Sequence, residues 1–146
     1  MKQALYIFTI AAILLTFTSC TREDDLNEIF IGKTWYMNGG IINGMKLNSE
    51  VKNFYTDGSQ SAYYITFSQG TYHGALSSGF TFSGTWSADG KKHTINLYPS
   101  NNTSPEVTFD KQIYNILTST TSYESGAEFL RLKKDGDNQI FFGSTR

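Results

Sequence analysis

The second half of the sequence alternates apolar and polar residues in short stretches, and turn dipeptides separate these stretches. Phe80, Phe82 and Trp86 fall on one side of an extended chain, with hydroxyl-bearing residues on the other. Asp89-Gly90, a dipeptide typical of tight hairpin turns, follows, and residues 93–98 alternate again. The pattern predicts a β-hairpin, and it constrains the chain to a sheet with one buried face.

Further strands are expected on both sides of this hairpin. They are 33–37, ended by Gly39-Gly40; 41–42 and 45–47 about Asn43-Gly44; 62–67; a strand that begins at 71–73; and a terminal pair, 128–133 and 139–142, about 135–138. Residues 25–30 are expected to form a short helical turn that ends at Gly32, and 119–125 a polar loop. The rest of the stretch 38–61 gives only weak signals of secondary structure.

One stretch has the period of a helix. Phe109, Ile113, Ile116 and Leu117 fall on a single helical face, and Ser104-Pro105-Glu106 has the form of a helix start. We therefore expect a mainly β fold with one helix. It would be a small antiparallel, strongly curved sheet or barrel-like domain, with the helix of the C-terminal half packed on it. Closure of the sheet is expected because open edges invite aggregation.

The N-terminus has the features of a targeting segment. Residues 1–19 combine Lys2, an apolar centre and small residues, the form of a secretory signal, and the apolar part is too short to span a bilayer. Residues 17–20 resemble the lipobox of bacterial lipoproteins, in which the cysteine is acylated and becomes the first mature residue. Cys20 is the only cysteine of the chain. The alternative is an ordinary secretory signal with a chance cysteine.

The predicted domains are a signal peptide over 1–19, an acylated Cys20 with an acidic tether over 20–28, and a single β domain over 29–146. The acidic cluster 23–25 resembles the surface-export signal of Bacteroidetes lipoproteins, and the alternative is a solvated tether. We expect a lipid-anchored protein of the cell envelope, in the outer membrane, and exposed at its surface if the cluster is an export signal.

The layout of the domain resembles the small META-like or lipocalin-like lipoprotein domains of Bacteroidetes. The residues that carry this resemblance are Ile31–Trp35, Ile65–Tyr72, Ser83–Ser87, Ile95–Leu97 and Phe129–Leu132. The helix before the terminal hairpin favours the META-like alternative, although residues 73–79 lack the Gly-Cys-Asn triplet of META domains. The lipocalin-like alternative implies an internal pocket for a small apolar ligand.

The sequence offers no catalytic, cofactor or metal motif. His73 and His93 lack zinc-ligand spacing, no Gly-x-Ser-x-Gly elbow or phosphate loop is present, and 135–138 lacks the later residues of a calcium loop. The 12 Lys and Arg against 13 Asp and Glu give no basic surplus for nucleic acid. We expect no enzyme, no cofactor and no nucleic-acid partner. A hydrolase built on either histidine stays an alternative, since a Ser-His-Asp site is spatial.

Tyrosines are the remaining lead to a binding site. Tyr64, Tyr72 and Tyr98 lie outside the predicted core stripe, and exposed tyrosine suits recognition surfaces. We therefore predict a non-catalytic binding or interaction module, joined to the membrane through Cys20. Its partner would be a protein, a glycan or a small apolar ligand. The alternative is an inhibitor or assembly factor for another envelope protein, which would act through a loop within 38–61 or 99–104.

Overall fold

The computed structural model describes residues 22–48, 55–56, 60–100 and 102–144. The predicted signal peptide, Cys20 and parts of the predicted interaction loops (49–54, 57–59 and 101) lie outside these residues. The described elements are α1 (Leu26–Phe30), β1 (Thr34–Ile42), β2 (Met45–Leu47), β3 (Tyr55–Thr56), β4 (Gln60–Ser61), β5 (Tyr64–Ser68), β6 (Thr71–Ala75), β7 (Thr81–Asp89), β8 (Thr94–Pro99), α2 (Thr108–Thr118), β9 (Ser122–Ser125), β10 (Phe129–Lys133) and β11 (Gln139–Ser144).

Eight antiparallel strands close into a barrel in the order β1, β5, β6, β7, β8, β9, β10, β11. Closure comes from β11 pairing with β1, with Trp35 opposite Ser144 and Ile41 opposite Gln139. Strand β2 continues β1 as a hairpin, and β3 with β4 forms a separate two-stranded sheet. The predicted fold class, a mainly β barrel-like domain with one main helix, is confirmed.

The barrel interior is filled by the inward side chains of its strands. The alternation of each strand directs Trp35 and Met37 inward, and both are fully buried. Gly74 makes room for the ring of Phe82, since a Cβ there would lie 2.5 Å from Phe82 Cζ. The buried apolar side chains of the described residues run from Phe30 to Phe142.

Helix α1 closes one end of the barrel. Asp25 caps it by accepting hydrogen bonds from the backbone N–H groups of Asn27 and Glu28, at 3.0 and 3.2 Å. Phe30, fully buried, packs its ring 5.0 Å from the ring of Phe67 and 5.1 Å from that of Trp86. We call this the α1 end.

Helix α2 covers the opposite end, which we call the α2 end. It contacts the residues that precede β5 and follow β6, whereas α1 packs on the last residues of β5. Its predicted apolar face is confirmed, because Ile113, Ile116 and Leu117 are buried. Among the described residues no helix has the length and apolar character that crossing a membrane requires.

The hairpin predictions are confirmed and three boundary predictions are wrong. Turns lie at Asn43-Gly44, at Asp89-Gly90 and between β10 and β11, as expected. Strand β1 does not end at Gly39-Gly40. A bulge follows Met37 and the strand continues, because the absent side chain lets Gly40 lie close to the backbone of β11.

The start of the main helix was also predicted wrongly. Helix α2 begins at Thr108, and its N-cap residue Val107 makes no side-chain capping bond, so Ser104-Pro105-Glu106 precedes the helix. The expected polar loop contains strand β9, which closes the barrel between β8 and β10. Of its residues only Tyr123 is buried, so local composition gave no strand signal.

Candidate functional site

A cleft of about 250 Å³ lies at the α2 end of the barrel, between helix α2 and two neighbouring turns. The turn between β1 and β2 and the turn between β10 and β11 form one wall, and α2 forms the other. We call it the helix cleft. Its lining residues are Ile42, Asn43, Thr108, Lys111, Gln112, Asn115, Ile116, Lys134 and Asn138.

Hydrogen bonds lock the two turns of the first wall together. The backbone N–H of Asn43 donates to Asn138 Oδ1 at 3.1 Å, and that of Gly44 donates to the carbonyl of Asp137 at 3.0 Å. Asn43 and Gly44 both have positive φ, +51° and +77°, as a two-residue hairpin turn requires. The Asn-Gly pair in the sequence therefore sets the shape of this wall.

A buried carboxylate fixes α2, the second wall. Asp110 lies in the first turn of the helix and has no exposed surface. The hydroxyl of Tyr63 donates to its Oδ1 at 2.9 Å, and the backbone N–H of Ser78 donates to its Oδ2 at 3.0 Å. Bonds to an ionised acceptor are the stronger kind, so they hold the helix, and with it Lys111, against the barrel.

The tyrosine in this network acts as a donor and not as an acid or base. Burial, together with the carboxylate of Asp110, raises the pKa of Tyr63 to about 12, against a lowering effect of the hydrogen bond with Ser77. The phenol therefore keeps its proton at neutral pH. The network is a structural support for the helix cleft.

Two basic side chains line the helix cleft. They are Lys111 and Lys134, and the described residues that line the cleft include no carboxylate. The ion pairs formed by the described residues include neither lysine, and Lys134 Nζ lies 3.5 Å from Asn115 Oδ1. The carboxylate of the adjacent Asp135 is engaged within its own turn by Asn138.

The remaining lining groups are neutral donors, acceptors and an apolar floor. The carboxamides of Gln112 and Asn115 and the hydroxyl of Thr108 are exposed along α2, whereas Ile42 and Ile116 are buried. Ammonium groups pair with carboxylates, carboxamides match hydroxyls, and the isoleucines offer an apolar surface. The cleft therefore suits a small acidic molecule that also carries hydroxyl groups.

The three predicted contact tyrosines do not come together, and none lines the helix cleft. Tyr64 lies on the outer face of β5, half-buried, with its ring 6.2 Å from that of Tyr36. Tyr98 is 53% exposed on the outer face of β8. Tyr72 points into the barrel and is 2% exposed, so it is not part of a contact surface. Its place on the inner face follows from the register, which sets it opposite the inward Phe67.

The two histidines lie apart from the helix cleft. His73 is exposed on β6, whereas His93 Nε2 lies 3.3 Å from Asp24 Oδ2 at the α1 end. Among the described residues no serine or threonine hydroxyl bonds to either ring, which a hydrolase of the kind considered above would need. The same residues hold no group of three or more His, Cys, Asp or Glu that would bind a metal ion.

The internal pocket implied by the lipocalin-like resemblance is not seen in the described part of the chain. There, core side chains occupy the interior of the barrel, and the helix cleft lies at one of its ends. Within that core, Trp35 Nε1 and the hydroxyl of Tyr72 have no hydrogen-bond partner.

The amino-acid sequence alone does not single out the cleft residues, because they come from three separate segments. The available signals were the polar face of α2, opposite its apolar stripe, and the Asn43-Gly44 turn. Neither signal shows that the β10–β11 turn lies beside them.

A closed eight-stranded barrel with helices over its ends is a lipocalin-like fold. A solved lipocalin-like protein from Bacteroides uniformis is similar, with a TM-score of 0.55 and 15% identity, over 81% of this chain and 99% of that chain. This likeness shows the fold alone. Of the two resemblances considered above, it supports the lipocalin-like one, and the META-like one is not shown.

The chain belongs to the family described as a domain of unknown function, DUF4847, whose model matches residues 21–144. A solved DUF4847 family protein from Bacteroides vulgatus is 23% identical, with a TM-score of 0.65, over 81% of this chain and 96% of that chain. No curated protein matches the sequence.

Proposed function

We propose that this protein is a lipid-anchored, non-catalytic binding protein of the cell envelope, and that the helix cleft holds a small ligand with a carboxylate group. The ligand class rests on one observation: Lys111 and Lys134 both line the cleft, and no carboxylate lies among the described residues that line it. A bound carboxylate would supply the missing partner.

The volume of the helix cleft limits the size of the ligand. Pockets for drug-sized molecules have volumes of about 300–1,000 Å³. The helix cleft, at about 250 Å³, fits a molecule of the size of one sugar unit. The carboxamides of Gln112 and Asn115 match sugar hydroxyls, and the buried Ile42 and Ile116 match the apolar face of a sugar ring. A hexuronic acid combines all three properties.

The envelope location rests on the N-terminus. The resemblance of residues 17–20 to a lipobox supports acylation of Cys20, and the relatives from Bacteroides support a lipoprotein of the Bacteroidetes type. We place the protein in the outer membrane, with the acidic cluster 23–25 as its surface-export signal. Mass spectrometry of protein from its native host tests this, since a free Cys20 thiol in the processed chain would contradict it.

Calorimetric titration with glucuronate and galacturonate, each compared with its neutral hexose, tests the ligand class. The hexuronates should bind and the hexoses should bind at least tenfold more weakly. A hydrogen bond to a charged group contributes about 1.5–3 kcal/mol, so Lys111→Gln and Lys134→Gln should each weaken binding by about 10- to 100-fold. Lys91→Gln, at the α1 end, is the matched control. Equal binding of acid and neutral sugar, or an equal loss in the control, would contradict the proposal.

A further inference from the structure

The N-terminal segment is fastened to the barrel at Asp24. Its backbone N–H donates to the carbonyl of Gly90 at 3.2 Å, and its Oδ2 accepts a hydrogen bond from the hydroxyl of Tyr123 at 2.9 Å. His93 Nε2 lies 3.3 Å from the same oxygen. We call Asp24, Gly90, His93 and Tyr123 the N-terminal latch.

The latch is closely fitted. A Cβ on Gly90 would lie 2.5 Å from the carbonyl oxygen of Asp24, so the two backbones are in direct contact. Tyr123 is 2% exposed, and burial together with the Asp24 carboxylate raises the pKa of its phenol, which keeps it a hydrogen-bond donor. The predicted tether is therefore free at most up to residue 23, and not over the whole of 20–28.

The distance from Asp24 to the proposed anchor at Cys20 is short. Residues 21–23 separate Asp24 from Cys20, and an extended chain spans about 3.3–3.6 Å per residue, so at most about 14 Å separates the two Cα atoms. We infer, on the basis of the proposed anchor at Cys20, that the α1 end of the barrel rests on the surface of the bilayer that holds the acyl chains. A longer free tether would allow the domain to tumble, and this one does not.

The surface at the α1 end suits lipid headgroups. Phe129, 46% exposed, lies there at the start of β10, and it borders a cleft that also contains Lys92 and His93. Exposed aromatic rings beside basic side chains are typical of groups that contact the membrane interface. The carboxylates of Glu23, Asp25, Glu28 and Glu124 keep this end mixed in charge, so the contact would hold mainly through proximity to the anchor.

This orientation directs the helix cleft away from the membrane. Helix α2 and the turns that line the cleft lie at the opposite end of the barrel, so a ligand would approach from the aqueous side. The spatial order of anchor, latch, barrel and cleft, counted from the bilayer, therefore directs the binding site outward.

Hydrogen exchange on vesicles tests the orientation. The mature chain, residues 20–146, keeps the core described above, and Cys20, the only cysteine, couples it to vesicles of phosphatidylcholine that contain a maleimide headgroup lipid. Backbone amides of 89–93 and 126–129 at the α1 end should exchange at least threefold more slowly on vesicles than in solution. Those of 134–138 at the α2 end should be unchanged.

The matched control is a variant with a flexible 20-residue Gly-Ser linker between Arg22 and Glu23, which keeps the latch and removes the short distance. Its α1-end amides should exchange as they do in solution. Unchanged exchange at the α1 end of the directly coupled chain, equal slowing at both ends, or equal slowing with the linker would overturn the inference. Because the maleimide supplies the anchor, this result is separate from natural acylation of Cys20 and from hexuronate binding.

Discussion

Replacing Tyr72 with phenylalanine should stabilise the protein. Tyr72 is 2% exposed inside the barrel, with its ring 6.4 Å from that of Phe67 and 6.2 Å from that of Phe82. Among the described residues its hydroxyl has no hydrogen-bond partner. Phenylalanine keeps the ring in place and removes only the unpaired oxygen.

The expected increase in the free energy of unfolding follows from the desolvation of the Tyr72 hydroxyl oxygen. A buried polar group without a partner costs about 1–3 kcal/mol. Since the small space left by the oxygen offsets part of the gain, we expect Tyr72→Phe to raise the free energy of unfolding by about 1 kcal/mol. For a domain of this size, that corresponds to a rise in Tm of about 3–5 °C.

The pH dependence gives a second test of the same reasoning. Burial raises the pKa of Tyr72 to about 12, against the ordinary value of 10.0. Above pH 10 the phenol ionises first in the unfolded chain, so the wild-type protein loses stability as the pH rises from about 10 to about 12. The variant should lose less over this window. Tyr63, with a pKa also raised to about 12, titrates in both proteins.

Urea unfolding followed by tryptophan fluorescence measures both effects, at pH 7 and at intervals up to pH 11. Tyr123→Phe is the matched control, because that hydroxyl donates to Asp24. The control should lose about 1–2 kcal/mol, as expected for a bond to a charged acceptor in a partly exposed place. If Tyr72→Phe were less stable than wild type by 0.5 kcal/mol or more, the hydroxyl would have a partner and the argument would fail.

Two further substitutions test the fold around the site. Asp110→Asn should lower the free energy of unfolding by about 2–3 kcal/mol, since the amide N–H group would face one of the groups that now donate to the carboxylate. Calorimetry should also show weaker hexuronate binding, because Lys111 would be displaced with the helix. An unchanged Tm would show that Asp110 does not anchor α2. Gly74→Ala should lower the free energy of unfolding in urea by about 1–3 kcal/mol, because the added Cβ would meet the ring of Phe82. The control Gly136→Ala, whose added Cβ would have no heavy atom of the described residues within 4 Å, should change stability by less than about 0.5 kcal/mol. Equal effects would mean that the barrel interior has room to adjust.

Local signals in the sequence determined the type of most elements. The alternation about Phe82 and the Asn43-Gly44 and Asp89-Gly90 dipeptides predicted hairpins that the structure contains. The period from Phe109 to Leu117 predicted the main helix and its buried face. These predictions were correct because the period of the side chains and the chemistry of turns depend on neighbours in the chain.

Tertiary structure decided which segments meet. Strand β9 exists because β10 pairs with it and the barrel must close, and only Tyr123 of its residues is buried, so composition alone favoured a loop. Tyr72 lies inside because of its register with Phe67, which local sequence patterns do not determine. The helix cleft joins Asn43, Lys111 and Lys134 from three distant segments. These residues lie close together because the barrel closes, and local sequence patterns do not predict such long-range contacts.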